Sequence, residues 1–164
     1  MKTLSLNLLK KELATRPPDE LATLCLQLAK YKKENKELLG YLLFDSNYEP
    51  EYIAGVKKQI DGEFAEINRS TLYFIKKSVR KTLRTTNKYI RYSGRKRTEA
   101  DLRIYFCTLL GRQGIPLKPG TALGNIFDGQ MAKIGKVVSA LHEDLQHDYA
   151  EEIRLIGRGS VKET

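Results

Sequence analysis

The sequence predicts an all-α protein, with six to eight helices in antiparallel pairs stacked as an open helical array or an α–α superhelix. Three observations carry this expectation. Apolar residues recur three and four positions apart along most of the chain, and no segment sustains the alternation of a strand. The interruptions fall at proline and glycine. The 41% hydrophobic and 30% charged content is that of an ordered globular chain. A chain of 164 residues buries roughly 68–70% of the surface it would expose unfolded. Residues 1–157 are therefore read as a single helical domain and 158–164 as a flexible tail.

The first helix carries Leu6, Leu9 and Leu13, and Arg16-Pro17-Pro18-Asp19 ends it. Pro18 suits the first turn of the next helix, where its missing N–H costs nothing. That helix presents Leu21, Leu24, Cys25 and Leu28. The charged run Lys30–Glu37 leads into the apolar piece Leu38–Phe44, and Asp45–Glu49 connects it to a fourth helix opened by Pro50. Ile53, Val56, Ile60, Phe64 and Ile67 define one face of that helix. A fifth helix spans about Ser70 to Ser93, with Gly94 as its C-terminal cap. Thr98 and Asp101 have the spacing of a capped start to the sixth. Leu102, Tyr105, Phe106, Leu109 and Leu110 lie on one side of it, with Ile104 and Cys107 opposite, so a central, largely buried helix is expected. Gly111–Gly124 reads as the longest loop. Phe127, Met131, Ile134, Val138, Leu141 and Leu145 then form a heptad-like seam continuing through Tyr149 and Ile153 to Gly157.

Charge is distributed unevenly. From Ile67 to Thr98 there is no acidic residue and there are 11 of the 29 basic ones; the remainder has 18 basic against 20 acidic. The net charge of +9 is thus a property of one segment. At ~100° per residue, Leu72, Ile75, Val79, Leu83 and Ile90 fall within an arc of about 80°, while Lys76, Lys77, Arg80, Lys81, Arg84, Lys88 and Arg91 occupy the next ~140°. Like charges four apart repel. Phosphates would relieve that repulsion, with Arg95, Lys96 and Arg97 as a flanking clamp and Tyr73, Tyr89 and Tyr92 available for stacking. Acidic helices of the same fold or of a partner would relieve it equally. His142–Glu152 holds Glu143, Asp144, Asp148, Glu151 and Glu152 without a lysine or arginine, and Asp61, Glu63 and Glu66 lie on the fourth helix.

Catalytic chemistry finds little support. His142 and His147 diverge by about 140° on a helix. Asp144-x-x-His147 has a ligand spacing used in carboxylate metal sites, but no second such pair exists in the chain. The loop around Gly111–Thr121 lacks the spacing of a phosphate-binding loop. Cys25 and Cys107, in leucine-rich surroundings, read as buried thiols of a reducing compartment, with a single disulfide as the alternative. No apolar run approaches the ~20 residues of a membrane span, and Met1–Lys11 lacks the apolar core of a signal peptide. The expectation is a cytoplasmic, non-enzymatic protein without metal or cofactor.

The stretches Leu9-Lys10-Lys11-Glu12-Leu13, Asp19-Glu20-Leu21, Asn35-Lys36-Glu37-Leu38-Leu39 and Ile75-Lys76-Lys77-Ser78-Val79-Arg80-Lys81 resemble uncharacterised bacterial helical proteins. The resemblance spans about the first 90 residues. It implies an α-helical array and assigns no functional residue.

Two functions follow as expectations. The first is a helical binding protein whose segment 70–97 contacts nucleic-acid phosphates through Lys76, Lys77, Arg80, Lys81, Arg84, Lys88, Arg91, Arg95, Lys96 and Arg97. The second is a protein–protein scaffold whose basic face meets acidic helices or an acidic protein surface. In the scaffold reading, helix 124–156 offers a homo-oligomer seam where Gly129 and Gly135 permit close approach.

Overall fold

The structure, a computed structural model, describes residues 3–157. The expected tail 158–164 lies outside the described residues. Among those described, the fold is all-α, with eight α-helices, one π-helical turn and no strand. The chain divides into two compact units, Met1–Asp45 and Ser46–Thr164, where the sequence reading takes 1–157 together. Periodicity reports which residues share a face, not which other element covers it.

The first unit contains α1 (Leu6–Ala14), α2 (Pro18–Tyr31), α3 (Lys33–Gly40) and the π-helical turn Tyr41–Asp45. The Ser5 hydroxyl accepts the Leu8 N–H at 3.3 Å to start α1, and Pro18 opens α2. The Asn35 amide donates to the Leu28 carbonyl at 2.8 Å, tying α3 to the end of α2. The apolar stripes fall where the spacing places them, yet no residue of these three α-helices is buried. Tyr41 is the one buried residue described in this unit. Cys25 is accordingly an exposed free thiol, not the buried one expected.

The second unit holds α4 (Glu49–Ala65), α5 (Leu72–Ser93), α6 (Lys96–Arg112), α7 (Ala122–Val138) and α8 (Glu143–Arg154). Helix α6 is central as expected, packing against α4, α5 and α7. Its Leu102, Phe106, Cys107 and Leu110 are completely buried. Around them close Ile60 and Phe64 of α4, Val79 and Ile90 of α5, Phe127 and Ile134 of α7, and Tyr149 of α8. The Phe64 and Phe106 rings lie 5.5 Å apart.

Three local expectations are corrected. Thr98 does not cap α6, which begins at Lys96; Thr98 is buried and its hydroxyl donates to Glu49. The loop is shorter than Gly111–Gly124, because α6 runs to Arg112 and α7 starts at Ala122 under a Thr121 cap. The final seam is also broken. Ala140 and Leu141 donate three residues back, to Val137 and Val138, which ends α7, and His142 caps α8 by accepting the Asp144 N–H. The Gln146 amide bonds the Leu141 carbonyl at 2.8 Å and the Ser139 carbonyl at 3.3 Å, so the break leaves those groups satisfied.

Candidate nucleic-acid interface

The Thr71 hydroxyl accepts the Phe74 N–H to begin α5, and Gly94, at φ +65°, ends it by donating to the Ile90 carbonyl. Val79, Thr82, Thr86 and Ile90 form its buried face. Two of these are threonines, whose hydroxyls bond the carbonyls four residues earlier, at 3.3 Å for Thr82 and 2.9 Å for Thr86. That satisfies their polarity within the helix, so they pack as though apolar. The buried face is shifted slightly towards them, and Leu72, in the first turn of the helix, is 68% exposed although it shares the angular position of the buried Ile90.

The opposite face carries the charge. Lys77, Arg80, Lys81, Arg84 and Arg91 are all exposed. They span an axial length of about 21 Å within an arc of about 100°. Among the described residues, no carboxylate lies within ion-pairing distance of these five. The carboxylates offered as internal neutralisers are placed elsewhere. Glu151 pairs with Arg154 at 2.7 Å, and Asp144 stands in the first turn of α8 beside its His142 cap. Glu63 accepts the Thr85 hydroxyl at 2.9 Å, and Asp61 accepts from Tyr105.

The remaining candidates differ from these five. Lys76 and Lys88 are half-buried and lie over aromatic rings, Lys76 5.8 Å from Tyr73 and Lys88 4.6 Å from Tyr89. Arg95 is engaged at the α5–α6 corner, 3.5 Å from the Glu49 carboxylate and 2.6 Å from the Ser46 carbonyl. Glu49 also accepts from Ser93 and Thr98, which pins that corner. Lys96 and Arg97 are both exposed, and the charge of Arg97 opposes the upward shift of the Tyr149 phenol. The clamp is therefore divided, with Arg95 structural and Lys96 open to solvent.

Of the three tyrosines, Tyr89 is packed between Tyr52 and Tyr92 and donates to Gln59 at 2.8 Å, whereas Tyr73 is 61% exposed. Tyr73 borders a cleft of about 440 Å³ shared with Leu72, Lys76, Pro116, Lys118 and Leu123. Lys118 belongs to the Gly111–Thr121 loop, which the sequence reads as a turn-rich connector; only the fold brings it beside α5.

Sequence reasoning missed Arg103. It is 7% exposed, inside the core helix, and bonds Glu99 at 2.8 Å, Asn87 at 3.0 Å and Gln130 at 2.6 Å. A charge in a helix apolar on all sides, with a glutamate four residues earlier, was the available signal. Its guanidinium ties α6 to α5 and α7. Burial pushes the neighbouring Cys107 thiol up to about 12, with Arg103 opposing the shift. Such a thiol is not a nucleophile at neutral pH.

No group of three or more His, Cys, Asp or Glu gathers as a metal site among the described residues. Among the described residues no helix is long and apolar enough to cross a membrane. The seam offered for oligomerisation is occupied within its own unit, where Phe127, Ile134 and Val138 are buried; Gly129 and Gly135 face open space. Fold and surface together define an all-α protein with one exposed cationic helix face. Comparison with known protein families, curated proteins and solved structures finds no match.

Proposed function

We propose that this chain is a non-enzymatic, cytoplasmic binding protein whose α5 face contacts nucleic-acid phosphates. The observation that carries the reading is the row Lys77, Arg80, Lys81, Arg84 and Arg91, exposed and without a carboxylate neighbour among the described residues. Five like charges on one helix face raise its energy unless an anion approaches. A polyanion does so along the whole row, releasing counterions at each phosphate. Lys96 extends the row past the Gly94 corner. Tyr73, with Lys76 and Lys118 beside it, is placed to stack on an unpaired base.

The test is fluorescence anisotropy of labelled single- and double-stranded DNA and RNA across a salt series. Five phosphate contacts give a log–log salt slope of about −4.5 on duplex DNA and about −3.5 on single strands. Arg80→Glu/Arg84→Glu, with helicity confirmed by circular dichroism, reduces the magnitude of the slope by roughly 2 and weakens every nucleic acid alike. Equal binding by wild type and this variant would reject the face as the site. Tyr73→Ala weakens single-strand binding by about 1–3 kcal/mol while leaving duplex binding in place.

A second reading, as a protein–protein interaction module, has its own support in the exposed leucines of the first unit.

A further inference from the structure

The first unit has an unusual surface. Of the 17 large hydrophobic residues exposed among the described residues, 12 lie in its 45 positions. A unit this small, with a single buried residue, does not hold a fold by its own core. Helices α1 and α2 diverge from the Arg16–Pro17 bend as an open V. Leu9 and Leu13 line one wall and Leu24, Leu28 and Tyr31 the other. The V encloses about 910 Å³. Two turns of helix, a cylinder ~10 Å across and ~11 Å long, occupy roughly 900 Å³.

We infer that the V is filled by α1 of a second copy of this chain, and that the exchange is reciprocal. Size is the first reason, because α1 has nine residues, or about two and a half turns, and two of those turns fill the volume of the V. Chemistry is the second. Helix α1 carries the stripe Leu6, Leu9 and Leu13, with Leu6 84% exposed, so the same surface serves as wall and as insert. That self-complementarity is what a two-fold isologous contact requires. Two such hairpins close into a four-helix bundle of α1, α2 and their counterparts. Charge is the third. The rim of the V has three carboxylates, Glu12, Asp19 and Glu20, against one cation, Arg16, which pairs with Glu12 and Glu20, and the incoming helix brings Lys10 and Lys11 against its own single carboxylate, so a net negative rim meets a net positive insert.

The area is that of a weak, concentration-dependent contact: the six large side chains of wall and insert, Leu6, Leu9, Leu13, Leu24, Leu28 and Tyr31, at on the order of 100 Å² of apolar surface each, offer roughly 350 Å² per copy, below the ~800 Å² per partner of a standard interface. The unit is also close to neutral, with eight basic and six acidic residues, so two copies meet without strong repulsion. Dimerisation places two α5 faces in one particle and multiplies the effect of each by avidity.

Multi-angle light scattering of the full chain over a concentration series tests this. The expected mass is twice 18.7 kDa, falling to the single-chain mass on dilution. Leu9→Asp/Leu13→Asp shifts the protein to the single-chain mass while the melting of the second unit's core is retained. A second measurement does not depend on that variant. Cys25 is an exposed thiol on α2 outside the V, and Cys107 is completely buried, so a spin label goes to Cys25 alone. Wild type then gives a defined dipolar distance between two labels, and the variant gives none. A wild-type monomer at every concentration, or the absence of a dipolar distance, overturns the inference. So does a dimer that persists in the folded variant. Nucleic-acid binding is read separately, so either idea can fail alone.

Discussion

Arg103 shows how much a single side chain decides here. It is a cation in the middle of the core helix, with one carboxylate, one side-chain amide from α5 and one from α7 as its partners. Removing it leaves Gln130, itself buried, without its guanidinium donor. Arg103→Ala is expected to lower stability by roughly 3 kcal/mol in urea unfolding. The two cysteines differ just as sharply. A thiol reagent is expected to titrate one cysteine in the native protein, Cys25, and a second only in denaturant, because Cys107 is fully buried. Tyrosines supply a pH dependence. Burial, reinforced by the bond to Asp61, raises Tyr105 from 10 to about 12. Burial and the bond to Asp101 raise Tyr149 as well, and Arg97 opposes this. A group that holds its proton more tightly when folded favours the fold below its unfolded value. That contribution falls as pH rises from about 10 through 12. Thermal melts should therefore decline over that alkaline window, and less so in Tyr105→Phe.

At the scale of elements, two glycines of α7 that look alike in sequence have opposite roles. A Cβ at Gly124 would sit 2.0 Å from the Lys118 carbonyl oxygen, because the 113–121 loop lies directly on the first turn of the helix. At Gly129 a Cβ meets nothing within 4 Å. Gly129→Ala should raise stability by about 0.5–1 kcal/mol, since alanine loses less backbone freedom. Gly124→Ala should lower it, because backbone must move. Paired chemical denaturation curves check both signs. The caps of α5 behave more conventionally. Thr71→Ala removes the acceptor for the Phe74 N–H and should cost about 1 kcal/mol.

At the scale of the whole molecule, core and charge are segregated. The second unit closes around α6, and its excess positive charge stays on one exposed helix face. The first unit has almost no interior and places leucines outside. Under the proposed readings these features answer to different partners, an anion for α5 and an apolar surface for α1 and α2. If the first units pair, their melting should shift to higher temperature with rising protein concentration, whereas the core transition centred on α6 should move little. Differential scanning calorimetry over a concentration series reads both.

By itself the sequence determined the fold class, the order of helices, the central place of α6 and the position of the cationic face. Those follow from periodicity and composition, which are local properties of a chain. It placed the stripe Leu6, Leu9 and Leu13 as well, but assumed that a stripe is buried within its own domain. Tertiary structure alone decided which stripes are covered, and it covered those of α4 to α8 while leaving α1 and α2 open. It also decided which charges are neutralised. Arg95 meets Glu49 across 46 positions and Arg103 meets Gln130 across 27, while Arg80 and Arg84 meet no carboxylate among the described residues. Distances between remote residues are set by how helices pack, and no spacing along the chain encodes them.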